Sequence, residues 1–495
     1  MDRGGIFQPT MASTWSAALI SRARGRAGFQ WFYLPCLIGA LGVGAVSTVY
    51  PLQALLVLFV MLVVVAVWRW PVLAAYLVIG LTPLTTGINR GSALPLLRPN
   101  EAIDLLVGVA LISRCLYRLR SGELPRLRLG AVEVSVLLLA VCSSVLPLAW
   151  MGVRQRAITS DDLLYALVLW KFVGLYVLIR LSVSTDLEVR RCLWISIAAA
   201  TVVAVLAILQ SLGVSGVVRL LADYYAPDGY ANAYSARGSS TLGLPAATAD
   251  LMIFNLAIIT GFWLRDHRRR ILLASIAALL TVAALSAGEF SSAIGLVCGL
   301  ICIMVITNSA RLLKFAIPVA ILGGLVMEPV IAARLSGFQS ITGLPVSWTT
   351  RLQNLEGYFW PQLFSNWNFI LGVRPAARIA VSTQGTGYVW IESGYTWLLW
   401  GGGLPLLGSF LVFVIAGARR GWQAARRNLD AVGVAGTALF VAVVVVAVMM
   451  IFDPHLTFRG SGDALFILLA LSVPLYEGSR GTPVRPIPGH SSEEV

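Results

Sequence analysis

Long apolar runs recur along most of the chain and constrain its fold more than any other feature. Stretches of about 15 to 25 mostly apolar residues, each long enough to cross a lipid hydrocarbon core as a helix, alternate with polar segments. Of the 495 residues, 58% are hydrophobic and only 12% are charged. A soluble protein of this size needs more polar residues to cover its surface. The sequence therefore predicts an all-α polytopic membrane protein with about 12–14 transmembrane helices.

The spacing of the runs divides the chain into five parts. The predicted spans are 31–49, 51–68, 71–88, 100–117, 131–150, 162–181, 192–212, 245–264, 271–287, 290–307, 312–327, 390–416, 431–451 and 463–476. The predicted parts are an N-terminal tail (1–29), a first transmembrane part (30–327), a large loop (328–389), a last transmembrane part (390–476) and a C-terminal tail (477–495). The run at 31–49 is followed at once by another, so we expect it to belong to the bundle rather than to a removable signal peptide.

Positive charge is distributed unevenly between the loops. The net charge of +14 comes almost wholly from arginine, since Lys171 and Lys314 are the only lysines. Arginines concentrate in alternate short segments, near 118–128, 190–191, 265–270, 311–314 and 419–427. Short basic loops stay on the cytoplasmic side, so both termini are expected inside and 213–244 and 328–389 outside. Membrane orientation thus accounts for the net positive charge, and we expect no nucleic-acid partner.

The cysteines and histidines predict neither disulfides nor a metal site. All six cysteines fall within or at the ends of apolar runs, so no disulfide framework is implied. The three histidines and the cysteines do not form a group with metal-ligand spacing.

The segment 328–389 is the longest polar interval between apolar runs. Loops longer than about 15 residues are usually functional or disordered, and this one is too aromatic for a disordered segment. Its arginines, among them Arg351, Arg374 and Arg378, run against the positive-inside trend and predict an anionic partner. Anchoring to anionic lipid head groups is the alternative. We interpret the loop as the lid and wall of an active site, with aromatic residues such as Trp360 stacking on sugar rings.

The loop at 213–244 offers a second candidate for anion binding. Arg237 precedes the small, hydroxyl-rich turn Gly238-Ser239-Ser240-Thr241, which leads into a predicted helix. Backbone amides at a helix start and a guanidinium together make a phosphate site. An ordinary helix cap beside a head-group arginine is the alternative.

Four further ionisable residues are candidates for the site because of their positions in or next to apolar runs. Glu392 begins an apolar run, where it serves either as a general base or as the ion-pair partner of a loop arginine. Lys171 lies inside an apolar run, where it meets a phosphate or carboxylate in a cavity or snorkels to the surface. His455 and Arg459 share a short outer loop that could complete the site, although a solvated turn is the preferred account of His455.

Several short motifs, taken in order over residues 70–476, resemble the O-antigen ligase and polymerase superfamily of bacterial membrane glycosyltransferases. They are the stretch from Arg90 to Asp104, Leu209–Gly213 followed by Arg237–Pro245, Arg351–Trp360 followed by Leu371-Gly372-Val373, and Glu392-Ser393-Gly394-Tyr395 with Gly401-Gly402-Gly403. The chain departs from the family at two places. Ligases carry a His-Asn pair where this chain has Glu392-Ser393, and the Asn that usually follows the loop proline is Ala246 here.

The resemblance implies a GT-C-like fold and a polymerase in the bacterial cytoplasmic membrane. Such an enzyme transfers glycan from an undecaprenyl-diphosphate-linked donor to an acceptor sugar on the outer face, without a cofactor or metal. The missing histidine favours a polymerase over a ligase. Transfer to another acceptor, or transport of lipid-linked sugars by a flippase, are the alternatives. The expected catalytic residues are Glu392, Arg237 and Arg351, and the expected substrate-binding residues are Arg374, Arg378, Lys171, Tyr395, Trp360 and Arg459.

Overall fold

The described residues of the computed structural model, 51–90, 97–122, 129–225, 237–265, 269–308, 313–335, 346–381 and 387–473, are predominantly helical. The longer helices are α1 (Pro51–Arg69), α2 (Val72–Thr85), α3 (Pro99–Arg120), α4 (Ala131–Val153), α5 (Ser160–Ala166), α6 (Val168–Ser182), α7 (Asp186–Ser211), α8 (Ser215–Tyr224), α9 (Pro245–Arg265), α10 (Arg270–Ser286), α11 (Phe290–Thr307), α12 (Leu313–Val326) and α13 (Glu328–Leu335). The large loop then contributes α14 (Val346–Asn354), α15 (Trp360–Phe364), α16 (Asn368–Leu371), β1 (Arg378–Ala380) and β2 (Tyr388–Trp390). The chain continues with α17 (Gly394–Arg427), α18 (Ala431–Met449) and α19 (Ser461–Leu471).

Seven helical spans in the described part of the chain are long and apolar enough to cross a membrane. They are α4, the continuous stretch of α5 and α6, α7, α9, α11, α17 and α18. Shorter apolar helices accompany them, among them α2, α10 and α19. The prediction of an all-α polytopic membrane protein is confirmed, while the predicted span 31–49 and both predicted tails lie outside the described residues.

The chain divides into two units, and most of α1 belongs to the first, which ends at Ala66. The second unit begins at Val67 and holds all the features discussed below. Its core is formed by α9 and α18, in which about four fifths of each apolar span is buried by other helices. A helix that is apolar all round is expected to be enclosed by its neighbours in this way.

Hydrogen bonds at the helix termini define two opposite ends of this unit. At one end, Arg265 at the end of α9 donates to the carbonyl of Asn428, and Ala431 N at the start of α18 donates to Asp186 at the start of α7. We call this the basic end, because the arginines in the last turns of α9 and α17, Arg265, Arg426 and Arg427, lie here. At the other end, the loop end, Tyr395 N at the start of α17 donates to Met450 O just after α18.

Helix α17 is broken in its first third. Gly403 has φ +64, a conformation that favours glycine because a side chain would clash with the backbone. Beside this break, Val373 N and Arg374 N of the large loop donate to the carbonyl of Trp400, at 2.7 and 3.3 Å. We predicted one uninterrupted span at 390–416, whereas in the structure part of the large loop packs against this helix at the triple glycine.

The described part of the large loop is structured rather than extended. After α14 the helix widens to a single π-type turn (Leu355–Phe359) before α15. Strands β1 and β2 then form an antiparallel hairpin in which Arg378 is opposite Trp390 and Ala380 is opposite Tyr388. The hairpin leads directly to Glu392 and the start of α17.

Candidate functional site

Arg351 of the large loop is held between two carboxylates at the loop end. Its Nη1 atom lies 2.9 Å from Asp453 Oδ2, and its Nε atom lies 4.0 Å from Glu392 Oε1. The same guanidinium reaches the carbonyl of Phe452 at 3.5 Å. About a quarter of the Arg351 side chain and a third of Glu392 remain exposed, so both can still contact a ligand. The alternative of an ion pair for Glu392 is therefore realised in this structure, with Asp453 as the closer partner of Arg351.

Arg237 forms a second ion pair, with Glu289 in the short loop between α10 and α11. Ser291 Oγ donates to the other Glu289 carboxylate oxygen at 3.2 Å and fixes its orientation. The Arg237 side chain is 29% exposed. Arg237 thus lies at the loop end, paired with Glu289 and still partly exposed.

The hydroxyl-rich turn after Arg237 is not the phosphate cradle that the sequence suggested. Ser240 N donates to the Gln210 side chain at 2.8 Å, Ser240 Oγ donates to Val203 O, and Thr241 Oγ1 donates to Pro83 O. All three hydroxyl residues, Ser239 to Thr241, are buried. Because these groups are used to join α2, α7 and α9, only the guanidinium of Arg237 remains available to an anion.

His455 does not lie in a solvated turn, so the prediction preferred for this residue is wrong. Its Nδ1 atom lies 2.7 Å from Asp250 Oδ2 in the second turn of α9, and both side chains are at most 2% exposed. Its Nε2 atom is buried and has no hydrogen-bond partner among the described residues. His455 N also donates to Asp453 O at 2.7 Å, so the histidine fixes the backbone that presents Asp453 to Arg351.

These residues form one group, the loop-end cluster, which consists of Arg237, Glu289, Arg351, Glu392, Asp453, Asp250 and His455. Glu289 is close enough to act electrostatically on Asp250, Asp453 and His455, and so links the two arginine pairs. Burial raises the pKa of Asp453 to about 6, although Arg351 opposes this rise. Burial lowers the pKa of His455 and the Asp250 carboxylate raises it, with a net upward shift.

Arg374 and Arg378, which were predicted to bind substrate, are paired with two consecutive acids of α5. Arg374 donates to Asp162 through Nε at 2.9 Å and Nη2 at 2.5 Å, and Asp162 is fully buried. Arg378 Nη2 lies 2.5 Å from Asp161, and its guanidinium also stacks on Tyr388 and Trp390. In this arrangement the two arginines anchor the large loop to the bundle.

Lys171 meets a carboxylate inside the bundle, which was one of the roles expected for it. Its Nζ atom lies 2.6 Å from Asp463, a fully buried residue in the first turn of α19. Asp104 on α3 acts electrostatically on the same group, and both its carboxylate oxygens are buried without a hydrogen-bond partner in the described ranges. This polar group contains no member of the loop-end cluster.

Two other predicted substrate-binding residues, Trp360 and Tyr395, form hydrogen bonds near the head of α17. Trp360 Nε1 donates to Thr396 Oγ1 at 3.3 Å, and Tyr395 Oη donates to Ala447 O at 2.8 Å. Arg459 is half-buried in the turn before α19. Trp360 and Tyr395 therefore support the loop's position on the bundle through these contacts.

Glu289 and Asp250 belong to the loop-end cluster but were not predicted from the sequence. Asp250 could have been found, because it is the only charged residue in the apolar stretch 245–264 and an acid there needs a partner. Glu289 occupies a two-residue gap between spans and gives no comparable signal.

Within the described residues no group of three or more histidine, cysteine or acidic side chains is arranged to hold a metal ion. No protein-family model and no curated protein matches the chain.

Proposed function

We propose that the chain polymerises a polysaccharide on the outer face of the bacterial cytoplasmic membrane. It would transfer glycan from an undecaprenyl-diphosphate-linked donor to the hydroxyl of an acceptor sugar. The observation that carries this proposal is the loop-end cluster, in which two arginines from different loops, Arg237 and Arg351, stand partly exposed at one end of a membrane bundle. The resemblance in motif order to membrane glycosyltransferases points the same way.

The proposed chemistry uses the arginines to stabilise the leaving group. The acceptor oxygen attacks the anomeric carbon, the bond from that carbon to the diphosphate oxygen breaks, and the electron pair leaves with the diphosphate. Guanidinium groups bind phosphate oxygens bidentately and stabilise this developing charge. Asp453 and Glu289 hold Arg351 and Arg237 in place before substrate arrives.

The acceptor proton passes to a carboxylate in this scheme, and Glu392 is the proposed base. It is more exposed than Asp453, so an acceptor hydroxyl can reach it from the loop side. Replacing Glu392 with Gln keeps the shape but removes the base. The rate should fall by roughly a hundredfold or more while the protein still accumulates in the membrane. Near-normal polymer at a normal protein level would remove Glu392 from the mechanism.

The proposed function is tested by the glycans of cells that lack the protein, separated by length on a gel. A polymerase deficiency leaves single repeat units on the cell surface. Full-length polymer that remains on its lipid carrier would assign the chain to ligation instead. Loss of all surface glycan, with lipid-linked intermediates left facing inward, would assign it to transport.

A further inference from the structure

Part of the large loop, residues 360–372, lies against the broken region of α17. A Cβ atom built on Gly403 would lie 2.3 Å from the carbonyl oxygen of Ile370, and one built on Gly372 would lie 2.8 Å from Gly402 N. The two stretches are therefore in direct backbone contact, made possible by glycines on both sides. Helix α16 fills the notch that the break in α17 creates.

This contact lies deep along α17 when measured from the loop end. Gly403 follows Gly394 by nine positions, which corresponds to about 13 Å of helix rise. The start of α17 is level with the end of the apolar span α18, because Tyr395 N donates to Met450 O. An independent marker agrees, since Gly402 packs against the carbonyl of Cys142, halfway along the apolar span α4. A depth of about 13 Å is close to the middle of a hydrocarbon core of about 30 Å.

The same segment turns an aromatic surface outward. Phe364 is 61% exposed and Trp367 is 70% exposed, and both rings flank Phe369 with centroid distances of 6.3 and 5.8 Å. Ile370 and Leu404, on the two sides of the notch, are exposed as well. The aromatic surface is thus continuous with the outward apolar face of α17.

A strained backbone holds this surface in place. Asn366 and Trp367 have φ +49 and +59, values that side-chain-bearing residues adopt rarely and at an energetic cost. Arg154, just after α4, stabilises the turn by donating to the carbonyl of Asn366 at 2.7 Å and to the side chain of Asn368. The arrangement directs Trp367 away from the protein rather than into the core.

We propose that residues 360–372 form a re-entrant membrane segment, with the bilayer lipid as the partner of its aromatic surface. Phe364 and Trp367 lie at the head-group level beside Arg154, and Ile370 reaches the hydrocarbon. Tryptophan is enriched at this interface because its ring is both apolar and able to hydrogen-bond. Irregular backbone is tolerated at such depth where protein satisfies it, as α17 does here through Trp400 O. The large loop is then only partly exposed to water, and this inference does not depend on the proposed chemistry.

Depth-dependent quenching tests the proposal. Single cysteines at Trp367 and Ile370 would be labelled with an environment-sensitive fluorophore in the full chain, reconstituted into phosphatidylethanolamine–phosphatidylglycerol vesicles. Gln353→Cys, exposed on α14, is the aqueous control, and Leu411→Cys, exposed on α17, is the lipid control. The unsubstituted chain labelled in parallel gives the background from the native cysteines.

The label at Ile370 should, like that at Leu411, be quenched by acyl-chain nitroxides and protected from aqueous iodide. The label at Trp367 should respond most to head-group nitroxides. Iodide quenching of both positions as strong as that of Gln353→Cys would overturn the proposal. So would protection of Trp367→Cys from iodide only when a soluble oligosaccharide is added, because that result would assign the surface to glycan.

A second measurement uses the intrinsic tryptophan emission of the protein. It needs no cysteine variant, so it still tests the proposal if the labelled variants fold poorly. Trp367→Phe should reduce the share of tryptophan emission that brominated lipids quench. Trp390→Phe, in strand β2, should leave that share nearly unchanged. Equal effects of the two substitutions would contradict the assignment of Trp367 to lipid.

Discussion

The Nδ1 atom of His455 lies 2.7 Å from Oδ2 of Asp250, and this buried contact ties the turn before α19 to the second turn of α9. The turn carries Asp453, whose carboxylate binds Arg351 of the large loop. One buried pair thus connects the membrane core to the arginine that the proposed chemistry requires.

Removing the carboxylate from this pair should destabilise the protein. Asp250→Ala leaves both ring nitrogens of buried His455 without a partner, which should cost about 2–3 kcal/mol. Thermal unfolding in detergent would show a lower midpoint. The matched control is Asp223→Ala, because Asp223 is exposed at the end of α8. Equal unfolding midpoints for the two variants would show that the buried pair contributes nothing to stability.

The pKa of Asp453 predicts opposite pH trends for activity and stability. Burial raises this pKa to about 6, so below this pH Asp453 is protonated and loses its charge pairing with Arg351. Glycan transfer should therefore increase as pH rises through 6, and Asp453→Asn should remove that inflection. The folded chain binds this proton more tightly than the unfolded chain, so this carboxyl's contribution to stability decreases as pH rises through 6. A pH profile that is identical in Asp453→Asn would exclude Asp453 as the titrating group.

The two ion pairs that anchor the large loop should differ in strength. Arg374→Ala leaves fully buried Asp162 without its countercharge, a change that costs about 3–5 kcal/mol. Arg378→Ala breaks a pair in which both side chains are about a quarter to a third exposed, and this should cost about 1 kcal/mol or less. Parallel thermal melts measure the difference. A larger loss for Arg378→Ala would contradict the anchoring roles assigned here.

The break in α17 should tolerate no side chain at Gly403. A Cβ there would lie 2.3 Å from Ile370 O, and the positive φ adds strain that no rearrangement of side chains relieves. Gly403→Ala should sharply reduce the yield of folded protein, measured by size-exclusion chromatography in detergent. Gly408→Ala on the same helix is the control, since a Cβ at Gly408 has nothing within 4 Å. Similar yields from both variants would mean that the notch is not required for folding.

The membrane bundle could be predicted from the sequence because it depends on composition and run length, which are local properties. The spans near 131–150, 245–264 and 431–451 match α4, α9 and α18 closely. The alternation of arginine-rich segments also predicted that the C-terminal ends of α9 and α17 lie on the same side, as the contact between Arg265 and Asn428 shows. Hydropathy needs no knowledge of which helices touch.

The partners of the charged residues could not be predicted, because ion pairing depends on contacts between distant segments. Arg374 and Asp162 are far apart in the sequence, and nothing near either residue indicates the other. The break in α17 at Gly403 could not be predicted either, because three glycines within an apolar run usually indicate close helix packing. Arg237 and Arg351 were identified as candidates, but Glu289 and the buried state of His455 emerged only from the fold.

The most direct test is glycan transfer by the purified protein in vesicles that contain its lipid-linked repeat unit. Glycans longer than one repeat should form together with free lipid diphosphate, measured by gel and by mass spectrometry. Arg237→Lys and Arg351→Lys keep the charge but lose the two-pronged phosphate contact, and each should reduce transfer strongly at an unchanged unfolding midpoint. Arg219→Lys, at an exposed position on α8, should transfer at the normal rate. Repeat units that remain single with the unsubstituted protein, or full transfer by both arginine variants of the cluster, would contradict the account.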